Sequence, residues 1–252
     1  MTLPAGPEWL TPLVERARRA TWGDLARFAP PQDGSGRASA VLVLLTEAPS
    51  TEPGPTQGDL TEADPTEADL TEADPCRPAP GPAVVLLERA ATMRRHAGQV
   101  AFPGGAVDPG DADTAATALR EAEEEIGLDP ASVDVLVTLP ALYLPPSDFV
   151  VTPVLGYWRT PHPLVRMQPG EVSAVGVVPV AELVDPANRF TVRHPSGYLG
   201  PGFSAGGWFV WGFTAGVLDA VLRMGGWQRD WDVSVTRPLP AVRNPVAGTV
   251  EP

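Results

Sequence analysis

Two apolar runs separated by a stretch that cannot pack set the first limit on this fold. ASAVLVLLT (38–46) and AVVLLERA (83–90) are β-branched, nearly continuous in hydrophobicity and of strand length, so both read as strands. Between them the chain is built from Pro, Gly, Thr and acids, and LTEADPTEADLTEADP repeats TEAD with a five-residue period. That period suits neither a helix nor a strand, and each unit is too short to bury anything, so no solenoid is implied. Residues 46–81 hold nine acids (Glu47, Glu52, Asp59, Glu62, Asp64, Glu67, Asp69, Glu72, Asp74) against Arg77 alone, a net −8 of the chain's −13. Low hydrophobicity with high charge predicts a disordered acidic insertion at 47–80, a passive expansion of a strand-to-strand connection.

The rest alternates strands and helices without regular βαβ spacing. An amphipathic helix is expected over 14–28, broken by PPQDGSG, and another over 114–127. VDVLVTLPAL (133–142) and FVVTPVLGYW (149–158) read as strands joined by the YLPPSD turn, and 171–183 as a strand leading into a short helix near Pro179. A hairpin is expected within 189–212, then a helix over 214–226 stopped by Gly225 and Gly226. The pattern is a mixed β-sheet flanked by helices. The expected organisation is an N-terminal helical segment (1–29), a catalytic domain (30–232) carrying the insertion, and a C-terminal tail (233–252).

Composition narrows the function. With 43% hydrophobic residues the 252-residue chain can bury a core. Its acidic balance argues against a nucleic-acid polymer as partner, since phosphate-backbone binding needs basic surface. Small anionic substrates stay open if a metal screens them. Cys76, the single cysteine, allows no intrachain disulfide, which suits a reducing compartment. MTLPAGPEWL lacks the basic and apolar regions of a leader, and GGWFVWGFTAGVL (206–218) is too short for a membrane span. A soluble cytoplasmic protein without membrane contact is expected.

The chemistry is concentrated in ALREAEEEIGL (118–128), where Glu121, Glu123, Glu124 and Glu125 fall within five positions. Like charges three or four apart on a helix repel, by a few tenths of a kcal/mol per pair. At about 100° per residue, Ala115, Ala118, Leu119, Ala122 and Ile126 share the face that would pack on a sheet. Glu121, Glu124 and Glu125 fall on an arc of about 100° on the other side, with Glu123 roughly opposite that arc. Just upstream, Gly104 and Gly105 permit close approach of a backbone or a ligand. Carboxylates plus a backbone carbonyl make an all-oxygen environment of the kind hard Mg²⁺ or Mn²⁺ prefers. Without a cation the crowded carboxylates would raise one another's pKa.

Gly105, Asp111 and Arg120-Glu121-Ala122-Glu123-Glu124-Glu125-Ile126-Gly127-Leu128 together resemble the Nudix box, a loop-helix-loop with the pattern R-E-apolar-x-E-E-x-G-apolar. The box usually has Glu where Asp111 stands, with seven residues instead of eight before the Arg-Glu pair. That departure resembles one branch of the superfamily, the coenzyme A pyrophosphatases. Their further signature is similar to Leu86, Arg89, Ala90, Arg94, Gly98 and Phe102-Pro103-Gly104-Gly105 here, with Val85 and Leu87 departing at the first Leu and the Thr positions.

The resemblance implies a Nudix-type α/β/α sandwich with a mixed sheet. It also implies metal-dependent hydrolysis of a coenzyme A-like nucleotide, a small-molecule substrate, to 3′,5′-ADP and (acyl-)4′-phosphopantetheine. Glu121, Glu124, Glu125 and the Gly105 carbonyl would hold the metal, and Arg120 would orient the glutamates. Glu124 and Glu171 are the candidates for general base, Glu171 having the alternative of a solvated loop acid. Arg89, Arg94 and Gly104 are expected to contact substrate, the alternative for the arginines being pairing with Glu88. His96 is a substrate ligand or a structural residue. Trp208, Phe209, Trp211 and Phe213 either stack on a base or fill the core. ADP-ribose, NADH or an oxidised nucleotide as substrate, a non-catalytic nucleotide-binding module, and a homodimer are further alternatives.

Overall fold

The computed structural model describes residues 6–25, 30–31, 33–48, 81–93, 96–145 and 147–240. The acidic insertion, Cys76 and Arg94 lie outside these described residues. The N-terminal helix departs from expectation in starting earlier and breaking. Helix α1 spans Leu10–Ala17 and buries Leu10, Leu13, Val14 and Ala17 at helical spacing, with Pro12 in its first turn where no intrahelical N–H is needed. A separate turn of helix, α2, spans Trp22–Leu25. The break comes from Thr21, whose N–H and hydroxyl both donate to Asp24 Oδ2 at 2.7 Å, a cap that begins a new helix.

The two apolar runs become the centre of the main sheet. β1 (Arg37–Glu47) pairs antiparallel with β2 (Pro82–Arg89) through its second half, Leu45 opposite Val84. The first half of that edge takes β4 (Gly104–Ala106), with Val41 opposite Gly104. β3 (Val100–Ala101) pairs with β2. On the other edge of β1 lies β7 (Phe149–Trp158), in parallel. The expected strand 133–142 is in fact two, β5 (Val133–Thr138) and β6 (Leu142–Leu144), both paired with β7 and interrupted around Pro140, which has no N–H to donate. β8 (Val172–Pro179) pairs with β2 and runs directly into α4 (Val180–Leu183).

Alternation along these strands makes two cores. Val43 and Leu45 of β1, Val84 and Leu86 of β2, and Leu155 and Tyr157 of β7 face α1 and α5 (Gly212–Gly225). Leu42 and Leu44, Val85 and Leu87, and Val154 and Trp158 face α3 (Thr114–Ile126) through Ala118, Ala122 and Ile126. The result is the expected α/β sandwich, with a mixed sheet between helices.

A second sheet, ordered β11 (Trp208–Val210), β10 (Leu199–Ala205), β9 (Arg189–Arg193), β12 (Thr236–Pro238), packs on the α5 side. β12 falls within the stretch expected as a tail. Arg189 fastens this sheet to α5: its side chain is 1% exposed and its Nη2 bonds Asp219 Oδ1 at 2.6 Å. Its guanidinium stands 4.3 Å from the Phe203 ring centre and 4.7 Å from that of Trp231. Burial holds the Arg189 pKa below its ordinary value against the opposing pull of Asp219. Removing Asp219 strands this charge, so Asp219→Ala is expected to cost about 3–5 kcal/mol in urea unfolding. Adding Arg189→Met to that variant should restore most of the loss.

Candidate active site

Strand β4, a turn and helix α3 carry the acidic residues. Asp108 and Asp111 shape the turn, with Asp108 N–H donating to Asp111 Oδ2 at 2.9 Å and Gly110 N–H to Asp108 Oδ1 at 3.0 Å. Asp113 caps α3 by accepting from Ala116 N–H at 2.8 Å. The helix stops at Gly127, whose φ of 67° is left-handed. Gly127 N–H then reaches Glu123 O at 3.0 Å, and Leu128 N–H reaches Ala122 O at 3.4 Å.

Arg120 ties the turn to the helix. Its Nε and Nη2 grip the two Asp111 oxygens at 2.9 and 3.1 Å, and Nη2 also donates to Ala106 O at 3.1 Å. Nη1 lies 3.1 Å from Glu121 Oε1 and 3.3 Å from both oxygens of Glu124. The Arg120 bonds, then the Asp108 N–H and the Thr117 hydroxyl, hold the Asp111 carboxyl far below the usual range. The carboxylates around Arg120, Asp111 first and then Glu124 and Glu121, raise its pKa. Asp111, where the sequence departs from the box, is thus the anchor of the arginine.

The three glutamates expected on one outward arc are divided. Glu123 and Glu124 are exposed, Glu121 is part-buried, and Glu125 is only 4% exposed. Helical phase accounts for the correction. Glu125 follows Ala118 by seven residues, about 20° short of two full turns, so it lies above a core position. The missing side chain of Gly105 makes room for Glu121, and that of Gly104 lets β4 lie against β1. A Cβ on Gly105 would sit 2.5 Å from the Glu121 carboxyl carbon and from both its oxygens. One on Gly104 would collide with the Ala40 carbonyl and Val41 Cα of β1.

Gly104 N–H donates to Glu125 Oε2 at 2.9 Å. Gly104, expected to contact substrate, is part-exposed, with its N–H engaged by Glu125 and its missing side chain facing β1. Burial raises the Glu125 pKa to about 7, countered by the Gly104 N–H and Arg89 and reinforced by the charges of Glu121 and Glu171. Glu121 is also raised, chiefly by burial, with Arg120 opposing.

Those interactions gather residues far apart in sequence. Arg89 ends β2, and its buried Nε has no hydrogen-bond partner among the described residues. The next residue, Ala90, donates its N–H to Glu171 O at 2.7 Å. Glu171, just before β8, therefore joins Arg89 and Glu125 at one place. The segment leading to Glu171 was not singled out by sequence reasoning, although its run of Leu164, Val165 and Met167 between prolines was a signal. Val165 N–H bonds Ile126 O and Met167 N–H bonds Glu125 O, both at 3.1 Å, so this loop docks on the end of α3.

His96 is exposed and meets Gln99 Oε1 at 2.9 Å. The aromatic run lies toward the other core: Trp208 and Phe213 pack on the α5 side, Phe209 meets Phe190 at 4.9 Å, and Trp211 stacks on His194 at 5.7 Å. A surface cavity of about 460 Å³ beyond α3, bordered by Asp129, Ala131, Ser132, Thr160 and His162, contains none of the acidic residues of the helix.

Among the described residues, no three His, Cys, Asp or Glu side chains converge into a ready ion cage. Arg120 draws Glu124 one way while Glu125 turns to Gly104. The residues still fit a divalent cation. All donors are oxygens, Gly105 leaves a cradle that any Cβ would fill, and Glu125 is buried with more like charge than opposite charge around it.

The NUDIX domain family matches residues 76–198. Over 146 residues the chain is 44% identical to an uncharacterized Nudix hydrolase NudL of Cronobacter sakazakii, the match covering 55% of this chain and 73% of that one. The chain belongs to the Nudix hydrolase family. A NudL of Escherichia coli (strain K12 / DH10B) is 43% identical over 150 residues, with 55% of this chain and 73% of that one covered. A Nudix hydrolase crystal structure from M. smegmatis, RenU, aligns with a TM-score of 0.42 at 16% identity, covering 75% of this chain and 86% of that one. As a Nudix hydrolase the protein cleaves a pyrophosphate linkage in a small nucleotide-type substrate, and enzymes of this family generally require a divalent cation.

Glu125 makes the metal-free Nudix hydrolase sensitive to pH. A carboxyl raised in the fold binds its proton more tightly there than when unfolded, so its favourable contribution is complete below about 4.5 and is lost as pH rises through about 7. With chelator present, melting temperature should fall between pH 5 and 8. Glu125→Gln, which keeps an acceptor for Gly104, should flatten that fall by about 3 kcal/mol, and a divalent ion should flatten it in the native chain.

Proposed function

We propose that this Nudix hydrolase cleaves the diphosphate of coenzyme A or of its thioesters, giving 3′,5′-ADP and 4′-phosphopantetheine or its acylated form. The observation that carries the reading is the run from Leu86 to Gly105, whose Arg89 exerts its charge on Glu125 and whose Ala90 is bonded to Glu171. A guanidinium whose buried Nε has no partner among the described residues suits a diphosphate oxygen. Arg89 holds the phosphates in this scheme, and Arg94 assists.

Glu121, Glu124, Glu125 and the Gly105 carbonyl are the proposed holders of Mg²⁺ or Mn²⁺. Such an ion, when bound, neutralises diphosphate charge and acidifies a coordinated water. Glu171 or Glu124 takes the proton of the attacking water, whose oxygen bonds to phosphorus as the bridging P–O bond breaks. Arg120 acts through the glutamates it contacts, as a positioning residue. The catalytic domain is proposed to span 30–232 with the acidic insertion at 47–80, the N-terminal helical segment (1–29) adding α1 to its core and the tail (233–252) adding β12 to its second sheet. No helix of the described residues is long and apolar enough to cross a membrane. A cytoplasmic enzyme, as monomer or homodimer, fits the proposal.

Incubation of the purified protein with coenzyme A, acetyl-coenzyme A, ADP-ribose, NADH and an oxidised nucleotide, with Mg²⁺ or Mn²⁺, should release 3′,5′-ADP from the first two on chromatography. Turnover of another substrate with none of coenzyme A or its thioester would sink the proposal. Chelation should abolish activity. Arg120→Ala is expected to lower kcat about 10- to 100-fold, as for residues that orient metal ligands, and Glu125→Gln should lower it at least as much. Unchanged hydrolysis in Glu125→Gln would overturn the metal assignment.

A further inference from the structure

The loop before Glu171 presents two apolar side chains to solvent beside the carboxylates. Val165 is 58% exposed and Met167 57%, among the most exposed large apolar residues described. They are not loosely hung. Val165 N–H is bonded to Ile126 O and Met167 N–H to Glu125 O, each at 3.1 Å. Both side chains lie over Gly127, where a Cβ would come within 3.3 Å of Val165 Cγ2 and 3.4 Å of Met167 Cγ and Sδ. Arg166, between them, turns the other way, its Nη1 donating to Ser173 O at 2.8 Å. The alternation leaves an apolar ledge fixed by backbone bonds to the last turn of α3, within a residue of Glu125 and four residues before Glu171. Every titratable group on this part of the helix is acidic, so the ledge is an isolated apolar spot in polar surroundings.

We infer that Val165 and Met167 form a subsite for a branched apolar carbon attached through one methylene to the diphosphate, the gem-dimethyl group of the pantoyl unit. The inference rests on the coenzyme A reading above and deepens it. In coenzyme A that quaternary carbon is separated from the phosphate ester oxygen by a single CH₂. A diphosphate held at the carboxylates therefore brings it near the ledge. ADP-ribose and NADH carry a hydroxylated sugar at the same distance, which gains nothing from apolar contact. The ledge thereby selects between substrates that present the same diphosphate.

The test uses two simple ADP β-esters, neopentyl and ethyl, which differ in the branched carbon alone. The native enzyme should favour the neopentyl ester about tenfold in kcat/KM, the discrimination expected for a few apolar carbons. In Val165→Ser/Met167→Ser the ratio should fall to about one, with an unchanged circular dichroism spectrum showing the variant folded. Equal rates for the two esters in the native enzyme, or a preference that survives the double substitution, overturns the subsite. So does failure to cleave the neopentyl ester by an enzyme that cleaves coenzyme A. Preference among the esters with no coenzyme A cleavage would leave the subsite standing and reject the coenzyme A reading.

Discussion

The hydrogen bond from Gly104 N–H to the buried carboxylate of Glu125 joins the sheet to the helix at the centre of the site. Its existence depends on β1 accepting two partners along one edge. β2 takes the second half of that edge, and the first half is left for the three residues of β4. Only a residue without a side chain can lie so close to Ala40 and Val41, and only a second such residue leaves space for Glu121. The glycine pair therefore sets the separation of α3 from the sheet. A larger residue at Gly105 would displace the Glu121 carboxylate, and one at Gly104 would drive β4 off β1.

Two electrostatic effects compete there, and their sizes differ. Arg120 is part-exposed, and its contacts to Glu121 and Glu124 are screened by water, so each stabilises the fold by at most about 1 kcal/mol. The displacement of Glu125 to about 7 corresponds to roughly 3 kcal/mol against the ionised form. Burial wins over pairing. The fold therefore holds a carboxylate in a condition that ordinary surface pairing does not relieve, and stored cost of this kind concentrates where function requires it. Compensation comes from elsewhere in the molecule, chiefly the apolar residues on both faces of β1, β2 and β7.

Periodic apolar patterns made most of this fold legible. β1, β2, β7, α3 and α5 fall within two residues of where hydrophobic spacing and stop signals set them. QVAFPGGAVDPGD reads as a strand entering Gly104 and Gly105, yet no apolar period in it marks two separate strands, β3 and β4. Two and three residues long, they exist through pairing with β2 and β1, information that no local window contains. The break at Arg18–Thr21 turned on one capping aspartate within a sequence that otherwise reads as continuous helix. In the site, the identity of the acids was legible and their depth was not. Phase about the helix axis gives direction, while burial depends on what stands opposite, and opposite Glu125 stands the backbone of Gly104. The meeting of Arg89 with Glu171 was likewise out of reach, since antiparallel pairing of β2 and β8 brings together positions separated by the whole of α3, β5 and β7.

That pairing has a consequence for how the site can change shape. Glu125 is fixed through its side chain to Gly104 and through its carbonyl to Met167, and Glu171 is fixed through its carbonyl to Ala90. Glu124, by contrast, is 46% exposed on its side chain, and its carboxylate is engaged by Arg120. In the proposed ligand set Glu124 is the exposed member, and it would have to leave Arg120 to hold an ion with Glu121 and Glu125. Arg120 would then exchange Glu124 for an ion-bound carboxylate while keeping both bonds to Asp111, which is why its anchor is an acid held outside the cluster. That anchor meets the guanidinium edge-on, through Nε and Nη2 together, a two-point grip that holds the guanidinium plane while Nη1 serves the glutamates.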